Sequence, residues 1–174
     1  MTTAPTSSTP INTRKAARRD LKFTSLDDLA AELDRIQQAH DAGTLRATGN
    51  WIPGQILAHL ATFWKCALDG FPAEMKPPLL LALIARLLFK RKAASGAAPP
   101  PGFKSPLKVR NHLEHGPGIT FEESMSQFRA QIARTRAGER FDKPSPLFGQ
   151  LTHDQWQRLQ LGHCQLHLSF LHFE

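Results

Sequence analysis

The stretch THDQWQRLQLGHCQLHLSF, residues 152–170, predicts an amphipathic helix and indicates most directly that the fold is helical. Thr152 and Gln155 have the spacing of a capping box, in which the two residues satisfy each other's backbone N–H groups at a helix start. Apolar residues and histidines then recur at intervals of three and four, which is typical of one helix face. That face consists of Trp156, Leu159, His163, Leu166, His167 and Phe170. Both histidines are therefore predicted to point into a core.

Three further segments show the same periodicity. They cover residues 25–42, residues 53–70 and residues 120–138, with start signals at Ser25, Pro53 and Thr120. Thr120 and Glu123 have the spacing of a second capping box. A shorter, very apolar helix is predicted over residues 77–92, followed by a long Gly/Pro-rich connection. Since no segment alternates like a strand, the predicted fold is an all-α four-helix bundle with an extra helix and loop between helices two and three.

The length of 174 residues predicts one folded domain. Residues 1–17 are expected to be a disordered tail, and residues 18–174 the bundle domain, with an inserted helix and basic loop at residues 76–118. The two cysteines, Cys66 and Cys164, and the lack of a signal peptide or a membrane-spanning apolar run favour a cytoplasmic protein with reduced thiols.

The net charge of +7 is concentrated in two parts of the chain. Residues 1–24 carry a charge of +4, and residues 75–113 carry +8 without a single acidic residue, so the remainder is −5. The basic character therefore belongs to the tail and the insertion rather than to the whole surface.

Three histidines are predicted to face the same core. His163 and His167 are four residues apart, so their rings lie one turn apart on one helix face. His59 lies on the apolar stripe of helix two, beside Ile56 and Phe63. Inward histidines on facing helices are the way in which bundles build metal sites, and three imidazoles suit Zn, Ni, Cu or Fe(II). From the residues alone, a metal site and three hydrogen-bonded core histidines both stay open.

Gln55 lies one turn before His59 on the same face. Its amide is a candidate catalytic group that would orient a water molecule or accept a histidine N–H. The alternative is that Gln55 caps the start of helix two.

Two phrases together resemble a known family. GNWIPGQILAHLATFWKCALDG (residues 49–70) and PLFGQLTHDQWQRLQLGHCQLHLSFL (residues 146–171) resemble the DinB-like (DinB/YfiT) superfamily of four-helix bundles. The W-x-x-GQ-x-L-x-HL phrase looks specifically like its uncharacterised branch, domain of unknown function 1569. The likeness covers residues 18–174.

The resemblance implies an up-down-down-up bundle that holds a divalent metal, Zn, Ni or Fe, through His59, His163 and His167. Members often dimerise. Characterised relatives include transferases and an isomerase that use small thiol cofactors, so a metal-dependent transferase or hydrolase is the first functional hypothesis. We expect a small-molecule substrate, and Lys104, Lys108 or Arg110 in the basic loop would attract an anionic one.

Two alternatives come from other classes of function. The first is a basic module that contacts nucleic acid or an anionic membrane through residues 79–110. Nucleic acid and membrane are not the partners we expect, because the basic residues lack interleaved aromatics and the cations are expected to be solvated around a helix packed on the bundle end. The second alternative is a bundle that keeps its histidines without catalytic activity.

Overall fold

The computed structural model describes residues 10–102 and 107–173, except for the side chains of residues 107 and 108. Within these residues the chain forms seven α-helices, one 3₁₀ turn and two short strands. The elements are α1 (Leu26–Asp41), β1 (Arg46–Ala47), α2 (Pro53–Asp69), the 3₁₀ turn (Ala73–Met75), α3 (Leu79–Leu88), α4 (Lys90–Ala94), α5 (Leu107–Leu113), α6 (Phe121–Arg136), α7 (His153–Leu168) and β2 (Leu171–His172). The predicted all-α class is confirmed, while the four-helix bundle as its specific form stays a prediction.

The four long helices share one apolar core. α1 and α2 each contact both α6 and α7, and α2 packs most extensively on α6. Each of the four helices buries a large side chain completely; these include Leu33, Trp64, Phe128 and Trp156. Trp64 Nε1 donates a hydrogen bond of 2.9 Å to Thr135 Oγ1 across the α2–α6 contact. That bond satisfies the indole N–H, which would otherwise be buried without a partner.

The predicted helix starts are observed, with one difference. The capping boxes of α1 and α7 are complete. At α6, Thr120 Oγ1 accepts from the Glu123 N–H at 3.2 Å, as predicted. The second bond of a capping box, from the Thr120 N–H to the Glu123 side chain, is replaced. The exposed Glu123 side chain instead accepts from Gln127 Nε2, one turn further along the helix, at 3.1 Å. Such i,i+4 pairs compete with a cap at the surface.

The chain after α7 does not continue the helix to Phe170. Ser169 ends the helix, and Leu171–His172 pairs antiparallel with Arg46–Ala47. The sequence showed no strand because two residues are too short for an alternating pattern. This pair ties the chain end to the connection between α1 and α2.

Part of the predicted tail is bonded to the connection between β1 and α2. The first nine residues lie outside the described part of the chain. Ile11 N–H donates to Asn50 Oδ1 at 2.7 Å, and residues 13–16 form a turn. Further along, Arg19 pairs with the fully buried Glu32 and donates to the Leu171 carbonyl. These bonds hold the segment that leads into α1.

The insertion contains more helix than predicted. The single helix expected over residues 77–92 is divided into α3 and α4 at Phe89, and α5 forms inside the segment predicted as loop. α3 also differs from the expected helix packed on the bundle end, because within Leu79–Leu88 only Ala82 and Ala85 are buried. No helix in the described ranges is both long and apolar enough to cross a membrane.

The end of α4 is held closely against α7. Arg158 Nε donates to the Ala94 carbonyl at 2.9 Å. Next to it, the backbones of Gly96 and Gly162 approach so closely that a Cβ on Gly162 would lie 2.6 Å from the Gly96 oxygen. Glycine is therefore required at position 162, although it is unfavourable inside a helix.

We expect Gly162→Ala to destabilise the protein. Alanine in a helix interior normally adds up to about 1 kcal/mol of stability over glycine. A fall in the melting temperature would therefore show that the new Cβ pushes the backbones at Gly96 and Gly162 apart. The measurement is thermal unfolding followed by circular dichroism. Gly116→Ala is the control, because a Cβ at Gly116 meets nothing within 4 Å. A higher melting temperature for Gly162→Ala would contradict the close contact.

Candidate metal centre

The three predicted histidines converge on one point. α2 carries His59, and α7 carries His163 and His167 one turn apart. One ring nitrogen of each lies within 4.8 Å of the others. The Nε2 atoms of His59 and His163 are 3.3 Å apart. The structure therefore brings together the set that the sequence singled out.

The spacing of one histidine pair, His59 and His163, fits a transition-metal ion. Zn–N bonds of about 2.0–2.1 Å at a tetrahedral angle place two ligand nitrogens about 3.3–3.4 Å apart. The His59–His163 distance matches that value. The cluster of three contains no carboxylate or thiol, and an all-imidazole set suits Zn, Ni, Cu or Fe rather than Mg or Ca.

A backbone carbonyl sets the tautomer of His59. His59 Nδ1 lies 2.9 Å from the Leu113 oxygen. A carbonyl only accepts, so Nδ1 carries the hydrogen, and in the neutral ring the Nε2 lone pair faces His163. Orientation of a ligand imidazole by a hydrogen bond on its other nitrogen is the usual arrangement in metal sites.

His163 has one nitrogen without a partner. Its Nδ1 is buried and forms no hydrogen bond with the described residues. If His163 Nε2 carries the hydrogen, it donates to His59 Nε2, and His163 Nδ1 is a buried acceptor without a donor. If His163 Nδ1 carries the hydrogen, the Nε2 lone pairs of His163 and His59 face each other. A cation between these two nitrogens would remove the repulsion. An unpaired buried polar atom costs about 1–3 kcal/mol. A ligand at this site is one physical explanation of such an unpaired atom.

All three imidazoles are neutral near pH 7. Burial lowers the pKa of His59 from 6.5 to about 4. Burial, and then the neighbouring His59, lower the pKa of His163 well below its ordinary value. Burial and the other two rings do the same for His167. Since the neutral imidazole is the form that binds metal, protons do not compete for these nitrogens at neutral pH.

Aromatic side chains support the histidine rings. Trp51 stacks on His167 with ring centres 5.5 Å apart and lies tilted against His59 at 4.9 Å. Phe63 contacts His163 edge to face at 4.5 Å. Phe63 was predicted on this helix face, whereas the contacts of Trp51 were not predicted. Trp51 precedes α2, and helical periodicity gives no direction for a residue outside the helix.

The chain after α5 folds back over the centre. His115 Nε2 lies 2.8 Å from Thr62 Oγ1, and the His115 carbonyl accepts from Gln55 Nε2 at 2.6 Å. The sequence predicted that His115 would reach the bundle only if the basic loop folded over the bundle. The contacts of His115 with Thr62 and Gln55 show that the loop does fold over it. His112 in α5 is exposed and takes no part in the histidine cluster.

Both ends of the Gln55 amide are engaged. Oε1 accepts from the Ile52 N–H at 3.1 Å, as expected if Gln55 caps the start of α2. Nε2 donates to the His115 carbonyl. Gln55 therefore connects the start of α2 to the segment above the centre. Its role as a catalytic group stays a prediction.

The two histidines of α7 are more exposed than His59. His59 is 7% exposed, while His163 and His167 each keep part of their surface in contact with solvent. A cavity of about 520 Å³ lies elsewhere, between the N-terminal segment, Gly96 and Arg158, and none of the three histidines lines it.

The two cysteines do not join the centre. Cys164 is fully buried, and burial raises the pKa of its thiol strongly. Burial also raises the pKa of Cys66. Neither thiol is activated as a nucleophile, in agreement with the packing role expected from the sequence.

The fold and the centre define an all-α protein with three histidines placed to hold a metal ion. The chain belongs to the family described as "Protein of unknown function (DUF1569)", whose model matches residues 15–173. The branch recognised from the sequence phrases is confirmed, and the wider DinB-like superfamily stays a prediction. No curated protein and no solved structure matches the chain.

We expect the metal-free protein to lose stability as the pH falls from 6.5 toward 4. In this interval the unfolded imidazole of His59 binds a proton and the folded one does not, so the unfolded state gains protons and the free energy of unfolding falls. His59 alone contributes up to roughly 3 kcal/mol. Urea unfolding at several pH values with a chelator present measures the slope.

His59→Gln should have a smaller slope in this interval, and the exposed His112→Gln should keep the wild-type slope. Asp69 does not affect the slope in this interval. Arg134 lowers the pKa of Asp69 from 3.8 to about 2, so the stability that Asp69 contributes is lost only as the pH falls below 3.8. An identical slope in wild type and His59→Gln would contradict a buried neutral His59.

Proposed function

We propose that this protein binds one divalent transition metal, Zn, Ni or Fe, through His59, His163 and His167, and that the site is catalytic. The convergence of three neutral imidazoles, with two Nε2 atoms 3.3 Å apart, carries the proposal. The orientation of His59 by the Leu113 carbonyl adds support, since it directs a lone pair into the cluster before any ion binds.

The proposed fold is a DinB-like bundle in up-down-down-up order. It is supported by the four long helices around one core and by the long crossover from α2 to α6. The resemblance of the two sequence phrases adds the expectation of three histidine ligands. Homodimer formation and a cytoplasmic location are part of the same proposal.

The proposed activity is that of a metal-dependent transferase or hydrolase, with a small thiol as the co-substrate in the transferase case. A divalent metal at this site supplies Lewis-acid chemistry and the activation of a water molecule or a thiol. The chain's own residues orient and shield the site: Trp51 stacks on His167, Phe63 packs on His163, and the segment at His115 covers the centre.

The substrate is proposed to be a small molecule that enters on the α7 side, where His163 and His167 are exposed in part. Of the cations expected to attract an anionic substrate, Lys104 and the side chain of Lys108 lie outside the described residues. Arg110 pairs with Glu114 at 3.0 Å, so its charge is partly neutralised. An anionic substrate would have to compete with this carboxylate.

Metal analysis tests the proposal directly. Protein purified without a histidine tag should bind about one equivalent of Zn²⁺ or Ni²⁺ per chain, and the ion should raise the melting temperature, because it binds only the folded state. His163→Ala should lose at least about tenfold in affinity, since only two ligands remain. His112→Ala is the matched control, because His112 is an exposed histidine outside the cluster. Unchanged metal binding by a folded His163→Ala variant would refute the assignment of the site.

Catalysis is tested separately with simple substrates. The metal-loaded protein should accelerate transfer of a small thiol to an activated aromatic halide, or hydrolysis of an activated ester. Chelation and His163→Ala should both abolish the rate, while His112→Ala should retain it. A metal-loaded protein that turns over neither class would leave the metal site standing and would refute the proposed transferase or hydrolase activity.

A further inference from the structure

Helix α3 exposes an unusual amount of apolar surface. Leu79 is 82% exposed and Leu87 is 75% exposed. Large apolar side chains in and directly after this helix are all exposed; they are Leu79, Leu80, Leu81, Leu83, Ile84, Leu87, Leu88 and Phe89. Together they present on the order of 800 Å², above the 300–600 Å² that is usual for the largest apolar patch of a soluble monomer.

The orientation of α3 is the reverse of that of an ordinary surface helix. At 100° per residue, the exposed leucines and Ile84 cover an arc of roughly 200°. The buried Ala82 and Ala85 lie on the opposite side. A surface helix normally turns its large apolar residues inward and its polar residues outward. Here two small residues face the protein, and the apolar arc is presented outward as a whole.

Four exposed cations lie in or beside the same helix. Lys76 precedes it, Arg86 lies within it, and Arg91 and Lys92 follow it. Among the described residues none of the four forms an ion pair with a carboxylate, and residues 75–113 contain no acidic residue. Lys90 differs, because its Nζ donates to the Gln150 carbonyl at 2.8 Å.

This charge distribution selects the partner. A symmetric contact between two copies through α3 would place like charges against each other, which opposes association. A surface that combines an apolar interior with negative headgroups complements both features of the helix, its leucines and its unpaired cations.

The length of α3 determines how it would bind. Ten residues span about 15 Å, half of the roughly 30 Å hydrocarbon core, so the helix is too short to cross a bilayer. We propose that α3, with Arg86 inside it and Lys76, Arg91 and Lys92 beside it, is a docking surface for an anionic lipid bilayer. The helix lies in the plane of the membrane with its leucines in the headgroup–acyl boundary and its cations at the phosphates.

Flotation with lipid vesicles tests the proposal on the full chain. The protein should float with vesicles that contain phosphatidylglycerol and phosphatidylcholine, and much less with phosphatidylcholine alone. Raising the salt concentration should weaken the binding, since the electrostatic part is screened. Each cation contributes about fivefold in affinity, so the double charge reversal Arg91→Glu with Lys92→Glu should lower binding by more than tenfold.

The apolar part is tested by Leu80→Ser with Leu87→Ser. Both side chains are exposed, so the fold should survive, and binding should fall at least tenfold. Two matched controls should bind like the wild type: Ile11→Ser, an exposed apolar residue outside the patch, and Lys22→Glu with Arg140→Glu, which removes the same charge elsewhere.

Three results would overturn the proposal. The first is an absence of binding to anionic vesicles, and the second is equal binding by the wild type and the double serine variant. The third is a wild-type dimer and a monomeric double serine variant in light scattering, with neither protein bound to vesicles. His163→Ala should float like the wild type, because the histidines lie on α2 and α7. Loss of the metal site and loss of the docking surface are therefore separate outcomes.

Discussion

The hydrogen bond between the His59 ring and the Leu113 carbonyl joins the centre to the insertion. His59 lies on α2 inside the core, and its buried Nδ1–H needs an acceptor that no apolar neighbour provides. α5 supplies this acceptor from the far end of the segment between α2 and α6. The geometry of the three imidazoles and the path of the insertion therefore depend on each other. If the Leu113 carbonyl were displaced, the His59 ring would be free to turn and its buried Nδ1–H would have no acceptor.

Beside the bond between Leu113 and His59, hydrogen bonds and close backbone contacts attach the insertion at two further places. At one place, Arg158 binds the Ala94 carbonyl and Gly162 lets the backbone of Gly96 approach α7. At the other, Gln55 and Thr62 on α2 bind His115. α3 precedes both attachments, and its only buried residues are two small ones, Ala82 and Ala85. The same segment thus closes over the centre at one end and presents its apolar arc at the other.

The sequence predicted the features that local patterns control. Helix starts, the apolar stripes and the inward direction of His59, His163 and His167 follow from spacings within one helix, and the structure agrees with them. The break at Phe89, the pairing of β1 with β2, and the return of His115 over the centre depend on contacts between distant residues. α3 shows the limit most clearly: its composition predicts that the leucines are buried, but only two alanines, Ala82 and Ala85, are buried.

An ion held by these histidines would also connect two helices. His59 belongs to α2, while His163 and His167 belong to α7, and α2 packs far more extensively on α6 than on α7. The aromatic and imidazole rings fill the space between α2 and α7 with few hydrogen bonds, and His163 leaves one buried nitrogen unpaired. Binding of an ion at this centre would therefore strengthen the weaker of these two contacts of α2. For that reason the metal should stabilise the α2–α7 contact more than the α2–α6 contact, and amide hydrogen exchange of residues 159–167 should slow more on metal addition than exchange of residues 125–135.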